Sequence, residues 1–91
     1  MQVLWLENAR AARTAAIEYI AQDSVTAALS QLDEIEQQTT RLADYSKLGR
    51  IGRIKGTREL VINRTPFIAV YRIDGDVIHI LRFLHGAQRW P

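Results

Sequence analysis

The 91-residue sequence contains no cysteine, which excludes a disulfide framework and a cysteine-based zinc finger. It has no apolar run approaching the ~20 residues that cross a bilayer. Its N-terminus, MQVLWLENARAAR, has no basic leader before the short apolar run Val3–Leu6, so no secretory signal is expected. These absences together predict a cytoplasmic protein with no membrane contact. Disorder and low complexity are excluded by 47% hydrophobic and 24% charged residues. The length predicts one domain, spanning residues 1–91. Without staples, so small a domain depends on its core and on any partner for stability.

The net charge is only +2, yet it is unevenly distributed. Residues 1–46 carry seven acids and three bases, and residues 47–91 carry three acids and nine bases. The second half therefore predicts a basic face, suited to a nucleic acid or an acidic partner.

Periodicity divides the chain. Val3–Leu6 is a continuous apolar run, which suits a strand buried on both faces. The alanine-rich stretch Ala9–Gln22 predicts a helix, with Asn8 as its N-cap and a thin stripe of Ala9, Ala12, Ala16, Ile17 and Ile20. Asp23-Ser24 interrupts it and caps a second helix. Its stripe is Val25, Ala28, Leu29, Leu32, Ile35, Thr39 and Leu42, and the short connection makes an antiparallel helical hairpin. Lys47–Gly56 holds three glycines and four bases and no acid, and predicts a loop with a short extended piece at Arg53-Ile54. A strand over Thr57–Asn63 follows, ended by Thr65-Pro66.

The strongest local signal is Phe67–Ile73, Asp74-Gly75, then Asp76–Leu84: two β-rich runs joined by a two-residue turn. With Asp74-Gly75 as the turn, Arg72 opposes Val77, Val70 opposes His79 and Ile68 opposes Leu81. One face then carries Phe67, Ala69, Tyr71, Ile73, Ile78, Ile80, Arg82 and Leu84. The other carries Ile68, Val70, Arg72, Val77, His79, Leu81, Phe83 and His85. Both faces are largely apolar, and two helices cover only one. The second is expected to be open to a partner protein, a dimer mate or the chain's own loops.

Catalytic signals are few. Ser24, Ser30 and Ser46 lack a nucleophile-elbow context, and Asp33, Glu34 and Glu36 read as a solvated helix face. His79 and His85 would sit about 20 Å apart on one strand, too far to share a metal ion, so no metal and no cofactor is expected. Gly49, Gly52 and Gly56 lack the Gly-Lys-Ser/Thr of a phosphate loop. What remains is a basic set: Lys47, Arg50, Arg53, Lys55 and Arg58, then Arg82, His85 and Arg89 beside Trp90. Such cations could dock an acidic partner or bind phosphates. In a metal-free ribonuclease, His85 would act as acid or base and Arg58 or Arg82 as phosphate clamp.

The order of elements, the strand Gly56-Thr57-Arg58-Glu59-Leu60, the strand Pro66-Phe67-Ile68-Ala69-Val70-Tyr71-Arg72 and the ending Leu84-His85-Gly86-Ala87-Gln88-Arg89-Trp90 together resemble the RelE/ParE superfamily. Its members are toxins of bacterial type II toxin–antitoxin modules. The resemblance covers essentially the whole chain. It implies an α+β fold of order β-α-α-β-β-β, an antiparallel sheet packed on an N-terminal helical hairpin. It also implies a cognate antitoxin that wraps the toxin and reaches DNA, so that this chain meets DNA only indirectly.

Within the superfamily, ParE-like members inhibit DNA gyrase and RelE-like members cleave mRNA on the ribosome. RelE-like nucleases tend to carry a base in the third strand ahead of its Tyr, where this chain reads Phe67-Ile68-Ala69-Val70. The resemblance is thus nearer to ParE. Expected target contacts are Arg58, Arg82, His85, Arg89 and Trp90, with Trp90 alternatively folding back on the core edge. Expected antitoxin contacts are Ile68, Val70, Arg72, Leu81 and Phe83. The ribonuclease alternative would employ Lys55, Arg58, Arg82, His85 and Arg89, and a third reading is a non-toxic interaction domain.

Overall fold

The computed structural model describes residues 1–86 and 88–91. The elements are β1 (Gln2–Trp5), α1 (Glu7–Asp23), α2 (Val25–Thr40), a 3-10 turn (Arg41–Ala43), β2 (Arg50–Ile51), β3 (Arg58–Val61), β4 (Phe67–Asp74) and β5 (Val77–His85). They form a five-stranded sheet in the order β1-β5-β4-β3-β2. All neighbours are antiparallel except β1, which runs parallel to β5. The sheet is therefore mixed. The helical hairpin lies between β1 and β2 in sequence and lets the chain return to the sheet at the opposite edge.

β1 is an edge strand, and its burial alternates. Val3 and Trp5 turn toward the core, while Leu4 stays exposed, which corrects the expectation of a strand buried on both faces. β2 lies at Arg50–Ile51, three residues earlier than the expected extended piece.

Alanine at position 9 is fully buried and brings α1 close to the sheet. The first residue outside α1 is Leu6, with extended backbone and no side-chain cap; Asn8 is already inside the helix. Glu7 in the first turn complements the positive end of the helix dipole. Ser24 alone separates the helices, and its Oγ accepts a hydrogen bond from the Ala27 N–H at 3.1 Å. On α2 the inward residues are Ala28, Ile35 and Thr39, followed by Leu42 in the 3-10 turn, while Val25 and Leu29 are exposed. The buried stripe thus starts at Ala28, one turn later than its spacing suggests.

The core lies between the helices and one face of the sheet. Ala9, Ile35 and Leu42 meet Leu60, Ile62, Phe67, Ala69, Tyr71, Ile78, Ile80 and Phe83. The β4–β5 turn is Gly75-Asp76 rather than Asp74-Gly75, since Asp74 pairs with Val77. Gly75 has φ +58 and Asp76 does not share the left-handed region, the pattern of a type II′ turn with glycine at its first central position. Arg72 consequently faces His79.

Further along, a β-bulge intervenes. Tyr71 pairs with Ile80, but Val70 pairs with Arg82, so Leu81 is the extra residue. Beyond it every side chain of β5 changes sides relative to simple alternation. Phe83 and His85 point to the helix face, and Arg82 and Leu84 point away from it. This reverses the expected placement of all four.

Candidate functional site: a basic cluster braced by a buried carboxylate

On the side of the sheet away from the helices, β3 presents Glu59 and Val61, because Leu60 and Ile62 are committed to the core. Glu59 is only 2% exposed. A buried carboxylate needs partners, and it has them in the preceding basic segment. Arg50 donates to Glu59 Oε1 from Nη2 at 2.9 Å and from Nε at 3.3 Å. The Arg53 backbone N–H donates to Oε2 at 3.2 Å, and the Arg53 guanidinium lies 3.6 Å from the same oxygen. Burial pushes the Glu59 pKa up, but the bonds from Arg50 and Arg53 outweigh it and hold the carboxyl below its ordinary value.

The cluster extends to the C-terminus. Arg53 donates from Nη1 to the Trp90 carbonyl at 3.0 Å. The Arg82 guanidinium stands 5.6 Å from the Trp90 ring centroid, a cation–π distance. Since Arg82 is on β5 and Arg53 precedes β3, Trp90, which meets both, lies over the outer side of β4. Under it Val70 is completely buried and Ile68 is 9% exposed. The outer face is therefore not the open apolar flank that alternation predicts: the chain's own end folds back across it. Trp90 is half-buried, and its indole Nε1 is buried with no hydrogen-bond partner among the described residues.

The expected site residues consequently separate. Arg58 is half-buried on the helix side, where its Nη1 donates to the Gly49 carbonyl at 2.8 Å. It braces the segment before β2. Tyr71 acts on the same segment: its hydroxyl donates to the Ser46 carbonyl at 2.7 Å and accepts from the Gly49 N–H at 2.9 Å. Burial raises the Tyr71 pKa, opposed by the Gly49 N–H and the Arg58 charge. Arg82 lies outside the sheet and His85 inside, edge-on to Phe67 with centroids 6.2 Å apart. Arg58 pairs with Tyr71 and His85 with Phe67, so the two side chains are separated by two inter-strand gaps and four residue steps, roughly 16 Å. Lys55 and Arg89 are exposed.

Of the expected antitoxin contacts, Val70 and Phe83 are buried, Ile68 is nearly so and Leu81 is half-buried. Only Arg72 is well exposed, and it is paired with Asp74, whose carboxylate also meets His79 Nδ1 at 2.7 Å. Those two partners, His79 first and then Arg72, hold the Asp74 carboxyl below its ordinary value. No group of three or more His, Asp or Glu residues placed to hold a metal occurs among the described residues.

A second feature escaped the sequence. An apolar groove of about 440 Å³ opens between the helices and the bulged end of β5. Ala12, Ala16, Tyr19, Ile20, Phe67 and Phe83 line it, with His85 at its margin. The bulge creates it by turning Phe83 inward. Small side chains on α1 leave room for an occupant, and Tyr19 stands 74% exposed beside it.

The profile of the family described as the ParE toxin of the type II toxin–antitoxin system ParDE matches residues 3–90. The chain belongs to the ParE toxin family. Among relatives, Y4kP of Sinorhizobium fredii is 45% identical over 73 residues, covering 80% of this chain and 75% of that protein. Toxin RelE2 of Caulobacter vibrioides is 33% identical over 87 residues, covering 96% and 97%. Among solved structures, a chain from the chromosomal ParDE toxin–antitoxin system of P. aeruginosa superimposes with a TM-score of 0.83 and 30% identity, covering 93% of this toxin and 95% of that chain. The ParE fold and the toxin assignment expected from the strand motifs thus hold. No helix among the described residues is long and apolar enough to cross a membrane.

Proposed function

We propose that this toxin arrests growth by poisoning DNA gyrase and is neutralised by a cognate antitoxin. The observation that carries the reading is the division of the cationic residues between two faces. A metal-free ribonuclease needs its acid, base and phosphate clamp within hydrogen-bond reach, ~3 Å, of one phosphodiester. Arg82 and His85 point to opposite sides of the sheet, and Arg58 is engaged with the Gly49 carbonyl. The same layout suits a binding protein: cations on the outer face surround an aromatic anchor at Trp90. Target contact is assigned to Arg82, Arg89 and Trp90 together with Arg53. Arg58 supports the loop from beneath, and His85 belongs to the groove side.

For the antitoxin, the apolar groove replaces the outer face as the principal docking site. An amphipathic segment would seat its apolar residues on Tyr19, Ile20 and Phe83, and acidic residues would reach the basic half of the toxin. Arg72 and Leu81 remain as contacts at the periphery.

The test is a pair of assays on purified toxin. Gyrase supercoiling should fall and cleaved DNA should accumulate, while RNA ends in a translating extract stay unchanged. Cleaved mRNA with normal supercoiling would establish the ribonuclease alternative instead. Absence of growth arrest on expression without antitoxin would point to a non-toxic interaction domain.

A further inference from the structure

Glu59 has no place in a direct contact with a target, because it is buried beneath Arg50 and Arg53. Its neighbours are nonetheless the residues that reach the C-terminus. The connection is continuous: Glu59 Oε2 accepts from the Arg53 backbone N–H, the Arg53 side chain donates to the Trp90 carbonyl, and Trp90 is flanked by Arg82. An arginine held at both its backbone and its guanidinium loses most of its rotamer freedom, and it presents a fixed donor to the returning chain. Among the described residues, the hydrogen bond from Arg53 to the Trp90 carbonyl is the side-chain hydrogen bond that holds Trp90, and the Arg82 guanidinium flanks its ring. Among the described residues the Trp90 Nε1 has no hydrogen-bond partner, so the bond at Trp90 is the one its carbonyl accepts from Arg53.

We infer that Glu59 is a positioning residue that aims Arg53, and through it clamps the C-terminal Trp90 across the outer face to complete the target-contacting surface. The functional half of this inference rests on the gyrase reading; the docking half does not. Two guanidiniums within reach of one carboxylate would repel each other without it. Loss of the charge should therefore free Arg53 and release Trp90, even though Arg53 is retained.

The experiment separates the two halves. In a Trp5→Phe background Trp90 is the sole tryptophan, and its accessibility is read by acrylamide quenching of fluorescence. Glu59→Gln and Arg53→Ala are compared with Arg64→Ala, a surface variant remote from the cluster. Circular dichroism establishes that each is folded. Arg53→Ala changes a half-exposed side chain and leaves the Glu59–Arg50 bond, so it remains informative should Glu59→Gln not fold. Quenching of Trp90 should rise to that of a free tryptophan in both cluster variants and stay low in the control. Gyrase inhibition should fall roughly 10- to 100-fold, the worth of a lost charge-assisted contact. A Trp90 that stays shielded in folded Arg53→Ala would overturn the inference. So would a released Trp90 with undiminished gyrase inhibition. If the unmodified toxin leaves gyrase untouched, the functional reading fails, and the quenching result still decides whether the clamp exists.

Discussion

Removing one oxygen atom from the core should destabilise this toxin more than most surface changes. In Tyr71→Phe the ring remains, and the lost hydroxyl leaves the Gly49 N–H without its acceptor and the Ser46 carbonyl without its donor. Tyr71 and Gly49 are buried, and the gap left by an oxygen is too small to admit water as a replacement. An unsatisfied buried backbone group costs ~1–3 kcal/mol, so two of them, one at the core margin, give roughly 2–4 kcal/mol. For a domain of this size that corresponds to a melting point lower by at least ~8 °C. Urea denaturation should show a lower midpoint with an unchanged slope, since the area exposed on unfolding hardly changes. The Arg58 side chain holds the Gly49 carbonyl of the same segment. A double-mutant cycle with Arg58→Ala should therefore be non-additive, because the first loss already frees what the second would free. A destabilisation below ~0.5 kcal/mol would refute the reasoning, since it would mean that the segment before β2 satisfies its own backbone in some other way.

Gly49→Ala should act on the same junction by crowding: an added Cβ would lie 2.7 Å from Tyr71 Cε1 and 2.9 Å from the Glu59 backbone oxygen. A loss of ~1–3 kcal/mol in the same denaturation assay is expected, and an unchanged midpoint would show that the strand shifts freely. Glu34 is bound by Arg64 through two bonds of 2.6 and 2.7 Å and by Gln38, which lower its carboxyl pKa from 4.5 to about 2. Because the folded-state pKa is depressed, the stabilisation is complete above the ordinary carboxylate range and disappears as pH falls toward about 2. Acid titration monitored by circular dichroism should show Arg64→Ala unfolding at higher pH than the unaltered protein, and coincident curves would contradict this. Val70→Ser, under the returning C-terminus, should cost ~2–3 kcal/mol, whereas Val61→Ser on the same side of the sheet but 46% exposed should cost under ~1 kcal/mol. Equal melting points for the two variants would mean that the outer face is open in solution.

Much of this architecture is legible in the chain because local signals coincide with the tertiary solution. Ser24 caps α2 as its position between two helical stretches suggests. Alternation through Phe67–Ile73 correctly sorts Phe67, Ala69 and Tyr71 onto the helix side, and glycine marks the β4–β5 turn. The failures share a cause. A bulge is a property of a strand pair, and nothing in the run Ile80-Leu81-Arg82-Phe83 marks Leu81 as the extra residue. Extending strict alternation past it assigns four side chains to the wrong face and conceals the groove that Phe83 lines. β1 reads as buried because its run is apolar throughout, but burial depends on what lies outside the sheet, and at this edge Leu4 is left 40% exposed.

The site was half legible for a related reason. The arginines advertise a basic face, but which of them act together is decided by a single acid. The glutamate between Arg58 and Leu60 is not singled out in the sequence at all. It is buried, and Arg50 and Arg53, supplied by β2 and the turn after it, arrive over it. The geometry follows from charge. A chain segment with nine bases and three acids resists bringing cations together. A carboxylate enclosed on the sheet surface offsets that repulsion at one point, and it fixes where the guanidiniums gather. Arg50, Arg53 and Arg82 against the one charge of Glu59 still leave the outer face positive. The buried acid thus concentrates the basic character of the toxin beside Trp90 rather than cancelling it.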